Sequence, residues 1–577
     1  MIFTVHIHKI CLILELVEVI IVSDFHGSFI LVLHTHLPWV LYHEELQENW
    51  LFEAAAETYV PIINMLNNLV DEGISPKITL TVSPVLIEQL SNEHFKERFI
   101  KYCEQKLDYA RQDYKDFEDG NEKHLAYLAT LWEKFYSKTK SYFSEKYNED
   151  LVGALKALQD GGHIELMTCG ATHAFYPAAC EDTSIQAQVQ TAREVHLNRF
   201  GKQPKGMWLP ECGYRPACKW APPFGSKTGE IPYDRKGVEE FLSEADLGYF
   251  VIDNHQMIKA HPADYHKNPY LAHWVRGAQQ PKEPVAVLAR DIPLSLQVWR
   301  HEIGYPGDGD YLDFHKTRWP GRLRYWKITH NKADMAFKDY YYPDDAINEK
   351  VIEHAGNYKY HIAGTLKNHF EQSGGNASMV MTAFDTELYG HWWFEGPLFL
   401  YHVIKWVNSD PNIRTETCSE YLERKPPCGD VFLPESSWGA NYDTSTWINE
   451  EVSWVLDKEY DVERDMQALA RQFFYTQDEE LIKILKQCSR ETMLLLSSDW
   501  KFMIKNWSAR DHAERRVMCH HNDFKRLAKM ARDYGEGRIV AESEWIFLGD
   551  CMARDRLFEK IDFKWFANPS VPAMKCD

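Results

Sequence analysis

Seven short runs of β-branched and apolar residues punctuate the first two-thirds of the chain, each ending in polar or ionisable side chains. They lie at 28–33 before His34-Thr-His36, at 77–82 before Ser83, at 163–168 before Thr172-His173, and at 205–210 before Glu211. The series continues at 248–252 before Asp253-Asn-His255, at 285–289 before Arg290-Asp291, and at 378–384 before Asp385. Stretches of helical period separate most of them, among them 54–70, 185–200 and 237–245. Strand, polar tip and helix in repetition predict an α/β fold with a parallel sheet and helical crossovers. Curled into a barrel, such a sheet gathers its strand C-termini on one rim, where side chains from several strands can act together. The pattern predicts about seven barrel strands, one short of the usual eight.

Two insertions interrupt the alternation. Residues 93–160 are long, charged and helical in period; 214–247 combine a loop, Ala221-Pro-Pro-Phe-Gly-Ser226, with a helix around 238–245. A third irregular stretch, 256–284, holds Tyr265, Tyr270 and Trp274 among polar residues. Loops of that length inside a compact domain are usually functional or disordered. Beyond about Pro397 no β-branched runs recur. Ala513, Val517, His520, Phe524, Leu527 and Ala531 advance by threes and fours, as do Leu481, Ile484, Leu485 and Cys488, which marks helix faces. The expected organisation is an extension at 1–27 outside the fold, a barrel at 28–396 with helical insertions near 93–160 and 214–247, and a helical domain at 397–577.

Composition narrows the class. With 45% apolar and 26% charged residues in 577, the chain can bury an ample core, and global disorder is excluded. Lys and Arg number 64 against 85 Asp and Glu, a net charge of −21, which argues against nucleic acid as a partner. No uninterrupted apolar run reaches the ~18 residues of a membrane span. Residues 11–22 are apolar but broken by Glu15 and Glu18, with only Lys9 as a fixed positive charge before them, which makes a poor signal peptide. The 12 cysteines include no C-x-x-C pair, so a reducing, cytoplasmic setting is expected rather than a disulfide framework or zinc ribbon. Aromatics reach 14%, with 19 Trp and 30 Tyr, which suits ring packing and sugar-face stacking alike.

Two carboxylates stand out on the expected rim: Glu211 in Trp208-Leu-Pro-Glu-Cys-Gly-Tyr214, and Asp385 in Phe384-Asp-Thr-Glu-Leu-Tyr-Gly-His391. Each directly follows an apolar strand and has aromatic flanks. Apolar walls raise a carboxyl's pKa, whereas hydrogen bonds and solvation keep it ionised, so two carboxyls can divide into a general acid and a nucleophile. Glycoside cleavage needs that division. The bland alternative is two strand-end residues making caps or salt bridges. Glu387 competes with Asp385, because side chains two apart on a strand share a face. His34 and His36 are also two apart. A His-x-His at a strand tip has metal-ligand spacing, with His173, Asp253, His255 or His391 as further donors. Neutral imidazoles binding sugar hydroxyls, or core histidines satisfied by carbonyls, fit the same residues. Residue chemistry alone ranks neither sugar nor zinc first.

His34-Thr-His-Leu-Pro38, Glu165-Leu-Met-Thr-Cys-Gly-Ala-Thr-His173, and the stretches 208–214 and 384–393 resemble four successive signature regions of glycoside hydrolase family 57. Within it, the 1,4-α-glucan branching enzymes are most similar. Gln297-Val-Trp-Arg300, Gly304-Tyr-Pro-Gly-Asp308, Ser436-Ser-Trp-Gly439 and Ser497-Ser-Asp-Trp500 extend the resemblance from about residue 28 to about 530. It implies an incomplete (β/α)7 barrel followed by an all-α C-terminal domain, and a retaining mechanism without metal or cofactor. It implies Glu211 as the nucleophile and Asp385, rather than Glu387, as the general acid/base. His34, His36, His173 and Asp499 fall at positions lining the sugar site. Trp50, Trp299, Trp438 and Trp447 fall near positions where the family stacks glucan rings. The family's mobile acceptor-side loop corresponds to 256–284, with Tyr265 or Tyr270 as its tyrosine. The implied partner is an α-1,4-glucan such as amylose or a glycogen-like polymer, cleaved and rejoined as an α-1,6 branch. The rivals are an α-amylase or 4-α-glucanotransferase with the same two carboxylates, and a zinc-dependent carbohydrate hydrolase or deacetylase built on His34 and His36. A glucan-binding protein with a decayed site is a further reading; the presence of both carboxylates argues against it.

Overall fold

A computed structural model describes residues 25–225, 228–261, 268–277, 283–300, 304–330 and 332–568. Among the described residues, twelve strands are formed: β1 (Gly27–Thr35), β2 (Ile78–Val82), β3 (Ile164–Cys169), β4 (Gly206–Trp208), β5 (Cys218–Trp220), β6 (Tyr233–Arg235), β7 (Tyr249–Asp253), β8 (His273–Val275), β9 (Ala286–Arg290), β10 (Ser378–Asp385), β11 (Ile413–Thr415) and β12 (Asp430–Val431). The seven expected runs are β1, β2, β3, β4, β7, β9 and β10, and they form one parallel sheet in the order β10-β1-β2-β3-β4-β7-β9. Among the described residues no ladder closes the ring between β9 and β10. Across the seam between β9 and β10 the Asp291 amide donates to the Met381 carbonyl at 2.6 Å. On its outer side β9 pairs with antiparallel β8, which pairs with β12.

Strands buried on both faces read as unbroken apolar runs, because helices cover one side and the barrel interior the other. In β1 the two faces are visible residue by residue. Phe29, Leu31 and Leu33 join the core under the helices. Ile30 and Val32 join an inner cluster with Met167, Cys169, Trp208, Met379, Met381 and Ala383. A period of two therefore carries His34 inward above Val32, and Asp385 inward above Ala383.

Helices α1 (Glu93–Asp119) and α2 (Lys123–Ser141) form the insertion after β2. The chain ends in α3 (Ser453–Gln472), α4 (Glu479–Leu495), α5 (Ser498–Asn506), α6 (Arg510–Gly535) and α7 (Glu542–Arg554). The periodic faces of α4 and α6, from Leu481 to Cys488 and from Ala513 to Ala531, are buried. The bundle docks on the barrel rim: the Ser498 amide donates to the His173 carbonyl at 2.9 Å. Nearby, Glu463 of α3 accepts from the amides of Cys180 and Glu181 at 3.0 and 3.1 Å. No helix among the described residues is long and apolar enough to cross a membrane.

The structure differs from the pattern reading in three places. Beyond Pro397, β11 pairs with the start of β1 and β12 with β8, so the sheet takes strands from a region that reads as helical. They are three and two residues long and carry no apolar run. The stretch 256–284, read as an irregular loop, supplies β8 to the sheet. β1 starts at Gly27; residues 1–24 of the expected extension lie outside the described residues.

Gly390, just beyond β10, has φ +129°, and a Cβ there would lie 1.9 Å from the Glu57 carbonyl oxygen. Gly390→Ala must therefore shift the backbone against a helix as well as strain its own dihedral. We expect a loss of at least ~2 kcal/mol of stability, read as a lower thermal midpoint. An unchanged midpoint would show that this close approach is not required.

Candidate active site

Glu211 sits on the turn that leaves β4, in left-handed backbone at φ 61°, ψ 24°; Cys212 follows at φ 49° and His173 lies at φ 60°. Left-handed backbone is costly for residues with a Cβ and is stored where the surroundings enforce it. Here the enforcement is visible. The Cys212 and Gly213 amides donate back to Leu209 and Pro210, each at 2.9 Å, and the Trp438 amide donates to the Glu211 carbonyl at 2.9 Å.

Both carboxylate oxygens of Glu211 accept hydrogen bonds. The Trp438 indole N–H donates to Oε2 at 2.8 Å, and the Ser498 hydroxyl donates to Oε1 at 3.0 Å. Burial pushes this carboxyl up to about 8; the two donors oppose the rise, and the charges of Asp385 and Asp499 add to it.

Asp385 ends β10 in register with His34 of β1. Among the described residues its carboxylate takes no hydrogen bond. Burial raises it to about 6, opposed by Arg290 and His36. Glu387 is differently placed. Its Oε1 accepts from the Tyr59 hydroxyl at 2.6 Å and from the His36 amide at 3.3 Å, and it belongs to a turn rather than to the strand. The shared-face rule that made it a competitor applies only while the strand continues.

Three imidazoles line the floor beside the carboxylates. His36 and His173 stack with centroids 3.8 Å apart, His34 and His173 lie 5.0 Å apart, and Trp208 stacks beneath His34 at 4.8 Å. His36 Nε2 meets Asp499 at 2.9 Å and its Nδ1 meets the Ser83 hydroxyl at 2.8 Å. Asp499 is driven down to about 2, its burial outweighed by His36, His173 and a hydrogen bond from Ser497. His36, His173 and Asp499 have the residue types of a metal site, and their ligand atoms lie within 4.8 Å of one another. Yet each ring nitrogen of His34, His36 and His173 already faces a protein partner. Asp253 and His255, the other donors considered, are committed elsewhere. Asp253 pairs with Arg290 at 2.5 Å, and His255 bridges Asp253 and the Ser436 hydroxyl at 2.9 and 2.6 Å. His391 meets Glu57 at 3.4 Å.

The structure thus brings together Glu211, Asp385, His34, His36, His173, Trp438 and Asp499. The tryptophans divide. Trp438 gives its N–H to Glu211 and carries the Arg290 guanidinium 5.0 Å from its ring centre. Trp299 is half exposed, edge-on to Trp392 at 6.4 Å. Trp50 is partly buried, edge-on to His512 at 5.5 Å. Trp447 is a correction: 1% exposed and stacked on Phe175 at 4.6 Å, it is a core residue with no ring face open to a sugar. Of the two loop tyrosines, Tyr265 lies outside the described residues, and Tyr270 donates to Asp291 at 2.9 Å and packs on His369. Ser498, Arg290 and Tyr59 carry contacts that residue-by-residue reading did not assign. Ser498 lay within the motif that yielded Asp499, whereas Tyr59 sits on a helix with no local signal.

Residues 30–431 match the family described as glycosyl hydrolase family 57, and 459–566 match that described as 1,4-alpha-glucan branching enzyme, C-terminal. The 1,4-alpha-glucan branching enzyme TK1436 of Thermococcus kodakarensis is 35% identical over 562 residues, spanning 95% of this chain and 80% of that protein. Its crystal structure is similar with a TM-score of 0.87, covering 96% of this chain and 98% of the other. The branching enzyme of Pyrococcus horikoshii also reaches 0.87, at 34% identity, covering 95% and 98%. The alpha-amylase AmyC of Thermotoga maritima reaches 0.80 at 26% identity, covering 94% and 99%.

Because the imidazole nitrogens are engaged by protein partners, prolonged chelation should leave activity unchanged, and metal analysis should find no stoichiometric zinc. Activity lost to a chelator and restored by zinc would make the imidazole cluster a metal centre instead.

Proposed function

Because the chain belongs to glycosyl hydrolase family 57, we propose that its two rim carboxylates carry out a retaining glycosyl transfer that branches α-1,4-glucans. The observation that carries the assignment of roles is the asymmetry of the pair. Glu211 has a hydrogen-bond donor on each oxygen, and Asp385 has none among the described residues. Two buried carboxyls that repel each other titrate as a pair, and the proton of the singly protonated state goes where donors are fewest. Burial raises Glu211 further than Asp385, but the pair shares its proton, and we assign that proton to Asp385 because donors on both oxygens of Glu211 stabilise its charge.

In this state a Glu211 oxygen attacks the anomeric carbon while the bond to the leaving oxygen breaks and Asp385 delivers its proton there. The 6-hydroxyl of an acceptor glucan then attacks the glycosyl-enzyme, gives its proton to Asp385, and frees Glu211. Two inversions give net retention, so an α-1,4 link becomes an α-1,6 branch. His34, His36, His173 and Asp499 line the floor on which the reacting sugar rests. The exposed Trp299 and Trp392 offer rings to a polymer without demanding one hydroxyl pattern. Water in place of the acceptor gives hydrolysis, the second reading, which the similarity to AmyC keeps in view. The ten described cysteines are free thiols, which supports a reducing, cytoplasmic setting.

Amylose incubation, with new α-1,6 links and new reducing ends counted separately, tests the reading: branches should outnumber reducing ends. Reducing sugar without new branches would leave a retaining hydrolase in its place. Glu211→Gln and Asp385→Asn should each lose roughly 10³-fold or more in kcat with thermal midpoints kept. Near-normal rates in Asp385→Asn beside an inactive Glu387→Gln would move the acid/base role to Glu387.

The pH dependence follows from the same pair. Taken as the two apparent values of the coupled pair and not of either residue, these shifts leave both carboxyls protonated below about pH 6, where the nucleophile is lost, and neither protonated above about pH 8, where the acid is lost. A bell-shaped kcat/KM between those limbs is expected. A rate that keeps rising above pH 9 would contradict it.

A further inference from the structure

Behind Glu211 the polar contacts continue in single file. Ser498, which donates to Glu211 Oε1, has its Oγ 2.8 Å from His173 Nδ1. His173 Nε2 lies 2.9 Å from His34 Nε2, and His34 Nδ1 lies 2.6 Å from the Thr81 hydroxyl. Ser498, His173, His34 and Thr81 are all buried, so each link must be satisfied within the file.

With Glu211 ionised, proton counting fixes the direction of every link. A hydroxyl has one proton to give, and a neutral imidazole has one N–H and one acceptor nitrogen. Burial keeps both imidazoles neutral, pushing them well below the usual histidine range. An ionised Glu211 only accepts, so Ser498 donates to it. His173 Nδ1–H must then donate to Ser498, which leaves His173 Nε2 as an acceptor. His34 Nε2–H fills that acceptor, and His34 Nδ1 accepts from Thr81. While Glu211 is ionised, any other arrangement sets two protons or two lone pairs against each other at one link; protonating Glu211 reverses the whole file.

We propose that Ser498 is a positioning residue for the nucleophile, the last donor of a one-way chain from Thr81 through His34 and His173 that aims the Glu211 carboxylate and favours its ionised form. The inference rests on Glu211 being the nucleophile. It gives the helical domain a direct part in the chemistry, because Ser498 opens α5 whereas Thr81, His34 and His173 belong to β2, β1 and the loop after β3. Donor links in series polarise one another, which strengthens the last of them.

The groups facing Glu211 set the sign of the test. Asp385 from β10 and Asp499 from α5 disfavour its charge, while the Trp438 and Ser498 donors favour it. The thiols of Cys169 and Cys212 stand nearby, with Arg290 and Asp253 beyond Cys212. Removing the Ser498 hydroxyl disfavours the ionised form, so the acid limb of kcat/KM must move to higher pH.

Ser498→Ala, Ser498→Thr, Thr81→Val and Glu211→Gln are compared in the full-length enzyme, with pH profiles on amylose and thermal midpoints. Ser498→Ala should lose roughly ten- to a hundredfold in kcat with KM nearly unchanged, as for a hydrogen bond to a charged group. Its acid limb should rise by about one pH unit. Ser498→Thr, which keeps the hydroxyl, should restore both. Thr81→Val, buried beneath His34, should shift the limb the same way by less. The proposal is overturned if the acid limb of Ser498→Ala stays in place with kcat within about twofold of the parent while Glu211→Gln is inactive. It is also overturned if the Ser498 and Thr81 variants all lose activity without any limb moving, which would be a structural effect alone. Activity retained by Glu211→Gln would instead remove the nucleophile assignment, and the role of the chain with it.

Discussion

Holding a carboxylate in place on a barrel rim lined by an indole and three imidazoles is the constraint from which the rest of this structure follows. Burial alone favours the neutral acid, so the charged form needs donors on its oxygens. The barrel does not supply them. One comes from Trp438, on a segment that pairs with the Glu211 turn, and the other from Ser498, at the first residue of a helix beyond the barrel. Each donor is itself held. The Trp438 segment is tied down through His255 to the Ser436 hydroxyl and by Arg290 over the indole. Ser498 is fixed by its backbone on His173. The left-handed backbone at Glu211 persists because these attachments leave it no alternative.

The same contacts explain why the second carboxyl differs from the first. Asp385 reaches the site by strand parity, directly above an inner row of small and flexible side chains, and arrives without donors. Glu387, two residues on, has already left the strand and spends its oxygen on Tyr59 and the His36 amide. Strand geometry thus carries one carboxyl into the barrel, and turn geometry ties its neighbour to Tyr59 and the His36 amide.

Where an element's own period decides its fate, the sequence was legible. The seven barrel strands, the inward parity of His34 and Asp385, and the buried faces of α4 and α6 all follow from local spacing. Where long-range docking decides, it was not. β8, β11 and β12 are too short to carry a pattern and exist because a sheet edge was waiting for them. Trp447 sits near a recognisable motif, but packing against Phe175 and Phe502 makes it core. Ser498 stands one residue from Asp499, yet nothing local says that its hydroxyl meets a carboxylate 287 residues away.

That separation has a consequence in time. During synthesis at ~5–20 residues per second, roughly 15 to 60 s pass between the emergence of Glu211 and that of Ser498. The strands of the barrel are complete long before the helix that finishes their site exists. A nascent chain therefore carries Glu211 without the Ser498 donor and without Asp499 beside His36, contacts that the proposed chemistry relies on. On the proposed roles, glucan met by a half-made chain is left uncut until the C-terminal helices have docked on the rim. The order of the gene enforces a delay between building the barrel and arming it.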